Sequence, residues 1–319
     1  MEKIISFYKR KNVLVTGATG FKGAWLCAWL NRLGAKVYGT SLGSTKNKSL
    51  FYKLGLEKKI NLKHFDIRDY KKLNNYINFS KPKIIFHLAS QPIIYESYKK
   101  PLLTFDINYR GTLNVLEVAR KSKFIRSLVL ATTYSCYEKV DRVKYYKEDD
   151  ALGGVDPYST SKVLAELIIR TYRESFFKNK KRCGISSVRA GNVIGGGDQT
   201  EGRLIPECIN LLRKKTLIRL RNPDYNKPWQ FVLEPLKGYL VLAKKQYENP
   251  NRYSSAWNFG NETKSVRTVK QIVSQVIKYW GSGKLKYYKN RSFFEQYDIL
   301  LDIRKAKKRL KWFPTYSIK

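Results

Sequence analysis

Short apolar runs alternate with amphipathic stretches through the first 190 residues of the chain. A short apolar run predicts a buried strand, and apolar residues that recur every three or four positions predict a helix. The alternation is typical of a Rossmann-type α/β fold, a doubly wound parallel sheet with helices on both faces. The predicted elements are strands over Asn12–Thr16, Lys36–Thr40, Ile60–Phe65, Lys83–Leu88, Ser127–Thr132 and Gly184–Arg189, and helices over Phe21–Leu33, Tyr70–Phe79, Leu103–Arg120 and Pro157–Tyr172.

The pattern becomes irregular after Gly191. We expect residues 1–190 to form a dinucleotide-binding domain and residues 191–319 to form a smaller, interleaved substrate lobe. A strand near 255–260 is expected to return to the main sheet. The elements predicted in this half are helices over Leu204–Arg213 and Val269–Trp280 and strands over Leu217–Leu220, Trp229–Leu233 and Trp257–Phe259.

Composition is ordinary for a globular protein, with 43% hydrophobic and 28% charged residues. No apolar run reaches the roughly 18 residues that cross a bilayer, so we expect no membrane span. The four cysteines are widely spaced, form no Cys-x-x-Cys pair and are accompanied only by His64 and His87. This pattern favours reduced thiols without a metal site. No small-residue cleavage site follows the basic N-terminus, so we expect a cytoplasmic protein.

Net charge is the unusual feature, since 63 Lys and Arg residues face 25 Asp and Glu residues, which gives +38. Such a charge attracts polyanions, including nucleic acid and phosphate-bearing substrates. The basic residues are scattered from end to end of the chain, which favours a solvated surface over a dedicated binding patch. Nucleic-acid binding remains the less favoured interpretation.

A glycine-rich segment follows the first predicted strand and opens the first predicted helix. Glycines let the chain turn tightly and let backbone N–H groups approach a pyrophosphate. Because the strand and helix context is correct, we interpret the segment as the phosphate loop of a dinucleotide site. The cofactor-binding residues predicted here are Gly17, Thr19, Gly20, Phe21, Lys22 and Gly23.

The second predicted strand ends in Tyr38-Gly39-Thr40-Ser41, without the acidic residue that commonly binds the adenosine ribose of NAD. Ser41, Lys46 or Lys48 can instead face a 2′-phosphate, so both NAD and NADP remain open. Asp66-Ile67, after the third strand, suits an adenine contact. Ala89-Ser90-Gln91, after the fourth strand, lies where the cofactor would pass.

Tyr158 and Lys162 form a Tyr-x-x-x-Lys pair on a predicted helix, and this spacing places both side chains on one face. Free tyrosine has a pKa of about 10, and a neighbouring ammonium favours its phenolate. Tyr158 can then take a proton from a sugar hydroxyl while hydride leaves the same carbon. Thr133, after the fifth strand, is placed to orient the reacting oxygen.

These motifs resemble those of the extended short-chain dehydrogenase/reductase family, and within it the dehydratases that act on CDP-glucose. The resemblance spans nearly the whole chain and implies an NAD(P) cofactor, a nucleotide-diphosphate sugar substrate and a homodimer or higher homo-oligomer. It also adds Asn108 to the cofactor site. The matching segments are Thr19–Gly23, Asp66, Asn108–Thr112, Thr133, Gly153-Gly154, Asp156–Lys162, Arg189–Asp198, Pro228–Gln230, Leu233–Pro235 and Trp257–Gly260.

One local departure bears on the reaction. The resemblance implies the motif Thr-Ser-Asp-Lys-Cys-Tyr after the fifth strand. This chain has Tyr134-Ser135 in place of Asp-Lys. Elimination across carbons 5 and 6 needs a positioned acid and base, and losing one typically costs ~10²–10⁴-fold in rate. Three outcomes follow: dehydration with Tyr134, Ser135 or another acid; 4-epimerisation or 4-dehydrogenation/ketoreduction; or binding without turnover.

Substrate-binding positions are expected beyond the sixth strand and at the cofactor edge. Arginine and lysine there can neutralise a diphosphate. Lys227 stands where the family usually has arginine, and Phe231 where it usually has histidine. The rival from another class is an inactive Rossmann protein that binds nucleic acid. The predicted substrate-binding residues are Gln91, Asn192, Arg203, Arg221 and Lys227.

Overall fold

The computed structural model describes residues 2–43, 49–178, 182–262, 266–288 and 298–316. Its strands are β1 (Asn12–Thr16), β2 (Lys36–Ser41), β3 (Asn61–His64), β4 (Ile84–His87), β5 (Ser127–Ala131), β6 (Lys144–Tyr146), β7 (Gly184–Ala190), β8 (Asn192–Ile194), β9 (Ile218–Arg221), β10 (Asn226–Lys227), β11 (Trp229–Phe231), β12 (Ala256–Phe259), β13 (Arg267–Thr268), β14 (Leu285–Tyr288) and β15 (Ile299–Leu301).

Helices cover both faces of the central sheet. The α-helices are α1 (Glu2–Tyr8), α2 (Phe21–Arg32), α3 (Leu50–Lys53), α4 (Tyr70–Ser80), α5 (Ile94–Lys99), α6 (Pro101–Phe105), α7 (Gly111–Lys121), α8 (Pro157–Tyr172), α9 (Leu204–Arg213), α10 (Leu233–Glu248), α11 (Pro250–Tyr253) and α12 (Val269–Trp280). Short 3₁₀ turns cover Leu56–Lys58 and Tyr134–Cys136, and π-helical turns cover Asp106–Arg110, Arg173–Phe177 and Ala306–Leu310.

The central sheet has seven parallel strands in the order β12-β7-β5-β4-β1-β2-β3. This order confirms the predicted doubly wound fold, in which the carboxyl ends of the strands share one edge. Strand β12 pairs with β7, which brings a segment from the second half of the chain to the rim of the sheet.

Alternate strand residues point to opposite faces of the sheet, and each face has its own apolar core. On one face Val13, Val15 and Val129 pack with residues of α2 and α10. On the other, Leu14 and Leu128 pack with residues of α4, α7 and α8. Because both faces are covered, these strands are apolar along their whole length rather than at alternate positions.

A separate apolar cluster lies in the second half of the chain, between α9 and α12. Its buried members are Cys208, Leu212, Ile218, Leu220, Trp229, Val269, Ile272 and Val273. Strand β8 leaves the end of β7 and pairs with β11, so this half is joined directly to the carboxyl edge of the main sheet. No helix within the described ranges is long and apolar enough to cross a membrane.

Two sequence predictions need correction. The single helix predicted over Leu103–Arg120 is α6, a π-helical turn at Asp106–Arg110 and α7. Helix α10 was not predicted, because Pro235 and Gly238 obscure its periodicity. Gly238 is required there, since a Cβ would overlap the ring of Phe259.

Gly191 is the residue between β7 and β8, and a Cβ at this position would overlap the carbonyl oxygen of Pro228. We expect Gly191→Ala to lower the free energy of unfolding by about 1–3 kcal/mol, the usual cost of overpacking. Chemical denaturation measures this change. The matched control is Gly196→Ala, whose added Cβ meets nothing within 4 Å and should cost less than about 0.5 kcal/mol. Equal stability of the two variants would contradict the close approach.

Candidate active site

The predicted phosphate loop connects β1 to α2 at the carboxyl edge of the sheet. Gly17 has φ +71°, and a Cβ on it would lie 2.8 Å from the Ala89 nitrogen. A Cβ on Gly23 would overlap the Gly17 carbonyl oxygen, so both positions require glycine. Gly20 precedes α2, and no side chain caps this helix end. Uncapped N–H groups and the positive end of the helix dipole favour an anion in front of Thr19 and Gly20.

The neighbouring strand ends carry the residues predicted to meet the adenosine half of a cofactor. The hydroxyl of Ser41 is hydrogen-bonded to His64 Nδ1 at 3.1 Å, while Lys46 and Lys48 lie outside the described residues. Asp66 accepts from Arg68 at 2.6 Å, and this guanidinium lowers the pKa of the carboxyl group.

Ile67 is buried and is held from two sides. A Cβ on Gly111 would overlap its side chain, and Asn114 Nδ2 donates to its carbonyl oxygen at 3.0 Å. The Ile67 side chain therefore forms a fixed apolar wall beside Asp66.

The segment after β4 is fixed by side-chain hydrogen bonds. Ala89 donates its N–H to Thr16 Oγ1 at 3.2 Å. Asn108 accepts from the Gln91 N–H at 2.9 Å and donates to Ser161 Oγ at 2.8 Å. The Asn108 amide thus ties the 89–91 segment, including half-buried Ser90, to α8, and its contact with a cofactor stays a prediction.

The Gln91 side chain is already engaged within the same segment. Its Nε2 donates to Thr104 Oγ1 at 2.9 Å and to the Ile93 carbonyl, and its Oε1 accepts from the Ile93 N–H. Gln91 can meet a ligand only if some of these bonds are exchanged.

Tyr158 and Lys162 lie on one face of α8, and Thr133 is the second residue after the end of β5. The Thr133 hydroxyl is hydrogen-bonded to Tyr158, and Lys162 Nζ donates to the Ala131 carbonyl at 3.3 Å. Asp156 caps α8 by accepting from the Ser159 N–H at 2.9 Å, which fixes where the helix starts. The three predicted reaction residues therefore meet at the carboxyl edge of the sheet.

Electrostatics at this group oppose one another. Burial raises the pKa of Tyr158 to about 12, although the Thr133 hydrogen bond and the Arg203 charge lower it. Burial lowers the pKa of Lys162 to about 7, and the charge of Lys22 adds to this effect. Tyr158 can ionise near neutral pH only when a bound ligand brings positive charge close to its phenolic oxygen.

Tyr134 and Ser135 form a 3₁₀ turn directly after Thr133, and both side chains are buried. The Ser135 N–H donates to Thr133 Oγ1 at 3.2 Å. Tyr134 lies close enough to raise the pKa of Tyr158 electrostatically. Two buried hydroxyl side chains therefore directly follow Thr133 in the chain.

Cations gather beside the phosphate loop. Arg203 pairs with Asp198 at 3.3 Å and lies near enough to act on both Lys22 and Tyr158. Burial, followed by the Arg203 charge, lowers the pKa of Lys22 to about 8. Lys22 and Arg203 therefore lie close together beside the phosphate loop, an arrangement suited to phosphate groups.

The remaining predicted substrate residues lie in the second half of the chain. Asn192 is half-buried on β8, opposite Trp229 of β11. Lys227 is buried on β10, opposite Arg267 of β13. The side chain of Arg221, at the end of β9, lies outside the described residues.

Sequence reasoning missed Glu166 and Arg189, which form a buried ion pair at 2.8 Å behind Lys162. The spacing of Glu166, four residues after Lys162, was the available signal, since it places both on one helix face. Among the described residues, no group of three His, Cys, Asp or Glu side chains is arranged to hold a metal, and the four cysteines are buried free thiols.

His87 forms part of the floor of this site and is almost fully buried. Its Nδ1 is hydrogen-bonded to Thr16 Oγ1 at 2.7 Å and its Nε2 to Thr112 Oγ1 at 3.3 Å. Burial, with the Lys162 charge, lowers the pKa of His87 to about 3 from 6.5. Below pH 6.5 the imidazole of His87 therefore binds a proton in the unfolded chain but not in the folded chain. The free energy of unfolding falls as the pH falls.

Between about pH 7.5 and pH 5, this one histidine should cost about 2 kcal/mol of unfolding free energy. We expect His87→Gln to lose correspondingly less stability over this range, as measured by chemical denaturation at each pH. His64→Gln, the same change at the exposed histidine, should behave like the wild type. Equal acid sensitivity of the wild type and His87→Gln would refute the assignment.

Comparison with known sequences identifies relatives along nearly the whole chain. Residues 14–319 match the family model described as GDP-mannose 4,6 dehydratase. The CDP-glucose 4,6-dehydratase of Salmonella typhimurium is 39% identical over 318 residues, which cover 98% of this chain and 89% of that protein. A putative UDP-glucose 4-epimerase of Methanocaldococcus jannaschii is 28% identical over 96% of this chain and 94% of its own.

Solved structures share the same fold. The epimerase Mth375 of Methanothermobacter thermautotrophicus has a TM-score of 0.85 at 22% identity and covers 100% of this chain and 91% of its own. The dTDP-glucose 4,6-dehydratase of Bacillus anthracis has a TM-score of 0.79 at 21% identity, over 96% and 92% of the two chains. The predicted family resemblance is confirmed: the chain belongs to the GDP-mannose 4,6-dehydratase family of short-chain dehydrogenase/reductase-type proteins.

Proposed function

We propose that this chain is an NAD-dependent enzyme that oxidises carbon 4 of a nucleotide-diphosphate sugar. The observation that carries the proposal is the group of Thr133, Tyr158 and Lys162 beside a glycine loop that opens the uncapped helix α2. We also propose that residues 1–190 bind the dinucleotide and that residues 191–319 bind the sugar nucleotide.

The glycine loop fits a dinucleotide pyrophosphate. Gly17 and Gly23 leave no room for a Cβ, and the open N-terminus of α2 offers backbone donors to an anion. We favour NAD over NADP because a solved neighbour, the UDP-glucose 4-epimerase of Thermus thermophilus, is a complex with NAD. When bound, NAD supplies the acceptor for the hydride that leaves sugar carbon 4.

Tyr158 acts as the base that takes the proton from the 4-hydroxyl, so that a carbonyl forms as the hydride leaves. Its pKa of about 12 must fall for this, and the Thr133 hydrogen bond and the charge of Arg203 act in that direction. Thr133 donates to the phenolic oxygen and orients it towards the sugar.

The neighbouring side chains of Lys22 and Arg203 suit the diphosphate of the substrate. Lys22 and Arg203 repel each other there, and a phosphate between them would relieve this repulsion. Asn192 and Lys227 extend the proposed contacts into the second half of the chain. The CDP-glucose 4,6-dehydratase relative suggests a cytidine nucleotide.

The fate of the 4-keto sugar depends on Tyr134 and Ser135. Water loss from carbons 5 and 6 requires a proton acceptor and a proton donor, and neither hydroxyl ionises readily near neutral pH. This observation favours a second candidate function, 4-epimerisation, in which the hydride returns to the other face of carbon 4. Epimerisation needs only Thr133, Tyr158 and Lys162.

We expect the purified protein, supplied with NAD and a panel of CDP-, GDP-, UDP- and dTDP-glucose, to convert one of them without loss of water. Tyr134→Asp/Ser135→Lys, which restores the pair seen in related dehydratases, should raise water loss by ~10²-fold or more. Mass spectrometry of the separated products distinguishes a dehydrated product from an epimer of unchanged mass.

Tyr158→Phe, placed in the Tyr134→Asp/Ser135→Lys background, is the control and should abolish conversion. Fast water loss by the wild type would mean that Tyr134 and Ser135 do not limit elimination. No conversion of any sugar by either protein would overturn the proposed oxidation at carbon 4.

We further propose that the chain forms a homodimer through α6 and α8. Apolar side chains are exposed on this face, including Leu102 at 86%, Leu103 at 38%, Leu164 at 36% and Leu167 at 39%. A contiguous exposed apolar patch of this kind marks an interaction surface. The free buried thiols of the four cysteines support a reducing, cytoplasmic location.

Leu164→Glu should convert the dimer to a monomer, because a carboxylate would be buried without a partner at the interface. Sedimentation velocity measures the change in mass. Leu217→Glu is the matched control, since Leu217 is equally exposed at 36% but precedes β9, away from this face. A wild type that sediments as a monomer at working concentration would remove the proposal.

A further inference from the structure

A buried carboxylate lies directly behind Lys162 and is not used in the proton step. Glu166 follows Lys162 by one helical turn on α8, and both side chains are 4% exposed. Its two oxygens accept from Thr132 Oγ1 at 2.5 Å, from Ser187 Oγ at 2.8 Å and from Arg189 at 2.8 and 3.0 Å. These donors belong to the carboxyl ends of two strands, so Glu166 joins α8 to the rim of the sheet.

The same network reaches the turn that carries Tyr134 and Ser135. Arg189 NH1 donates to Tyr137 Oη at 2.8 Å and to the Glu148 carbonyl at 2.9 Å. Tyr137 in turn donates to Asn258 Oδ1 on β12 at 2.8 Å. Thr132 precedes Thr133 in the chain and Glu166 follows Lys162 by four residues, so the network adjoins these two proposed reaction residues.

A buried ion pair is weak evidence for stability, because apolar residues of similar volume often serve as well. Here the carboxylate has a second effect, since its charge raises the pKa of Lys162 against burial and the Lys22 charge. Arg189 and the hydroxyl donors outweigh the burial that would raise the pKa of Glu166, so it stays ionised. The charged and titratable groups that face Lys162 are Lys22 from α2, Cys136 from the 3₁₀ turn, His87 from β4 and Glu166.

We propose that Glu166 is a positioning residue, which fixes α8, and with it Lys162, against the sheet through Thr132, Ser187 and Arg189 and holds a carboxylate one helical turn from Lys162. This inference rests on the proposed function, in which Lys162 lies beside the bound dinucleotide. Without the carboxylate, Lys162 would lose its proton at lower pH and would no longer promote ionisation of Tyr158.

The test is the affinity for NAD, measured by calorimetry at a series of pH values across neutrality. If the affinity of the wild type for NAD changes with pH and that of Lys162→Met does not, the change reports the ionisation of Lys162. Glu166→Gln should move the midpoint of this change to lower pH by about one unit, because an attractive charge is lost. Glu166→Asp, which keeps the charge, should leave the midpoint in place and lower kcat in the sugar assay.

Glu117→Gln is the matched control, since Glu117 is also paired with an arginine on a helix, Arg120 at 2.7 Å, but on the outer surface. It should move neither the midpoint nor kcat. If Glu166→Gln does not fold, Glu166→Met/Arg189→Met removes both charges together and leaves no unpaired buried ion. The midpoint should still move to lower pH, because Glu166 is the charge nearest Lys162 in this pair.

Failure of this inference and failure of the proposed function would give different results. An unmoved midpoint in Glu166→Gln, or in the double methionine variant, would overturn this inference while NAD binding stands. A wild type that binds no NAD at any pH would overturn the proposed function itself, and this inference with it.

Discussion

The geometry of the site depends on the hydrogen bonds that the buried carboxylate of Glu166 accepts. Helix α8 carries Tyr158 and Lys162, and it must meet the ends of β5 and β7 at a fixed height and rotation. Apolar packing against the sheet is adaptable, whereas four hydrogen bonds to two oxygens permit one placement. Arg189 extends this constraint to the Tyr137 loop and to β12.

Positive charge is the second feature that unifies the site. Lys22, Lys162 and Arg203 lie close enough to perturb one another or Tyr158, and burial weakens the protonation of both lysines. Such an arrangement is unfavourable in isolation and becomes favourable when phosphate groups enter.

Most of the fold could be predicted from the sequence, because strands such as β1 and β4 are mainly apolar runs and helices such as α4 and α7 have a clear amphipathic period. Helix α8 was predicted with its observed bounds, since Asp156 and Pro157 mark its start. The π-helical turn around Asn108 could not be predicted, because it depends on tertiary hydrogen bonds to Gln91 and Ser161.

The site was predicted unevenly. Local motifs gave Gly17, Tyr158 and Lys162, whose roles follow from residues close in sequence. The Glu166–Arg189 pair joins residues 23 positions apart, and only the packing of α8 against β7 brings them together. The meeting of Arg203 with Lys22 likewise depends on how the 195–203 segment packs on α2, where Trp25 Nε1 donates to the Gly196 carbonyl at 3.1 Å.

We propose that Thr133, Tyr158 and Lys162 support oxidation of the sugar by bound NAD although Tyr134 and Ser135 stand in place of the Asp-Lys pair. The most direct measurement is single-turnover absorbance of reduced nicotinamide after the NAD-loaded protein is mixed with each nucleotide sugar. The account predicts a transient rise with one sugar, slower when carbon 4 carries deuterium and absent in Tyr158→Phe. Binding of both NAD and a sugar nucleotide without any reduced nicotinamide would contradict it.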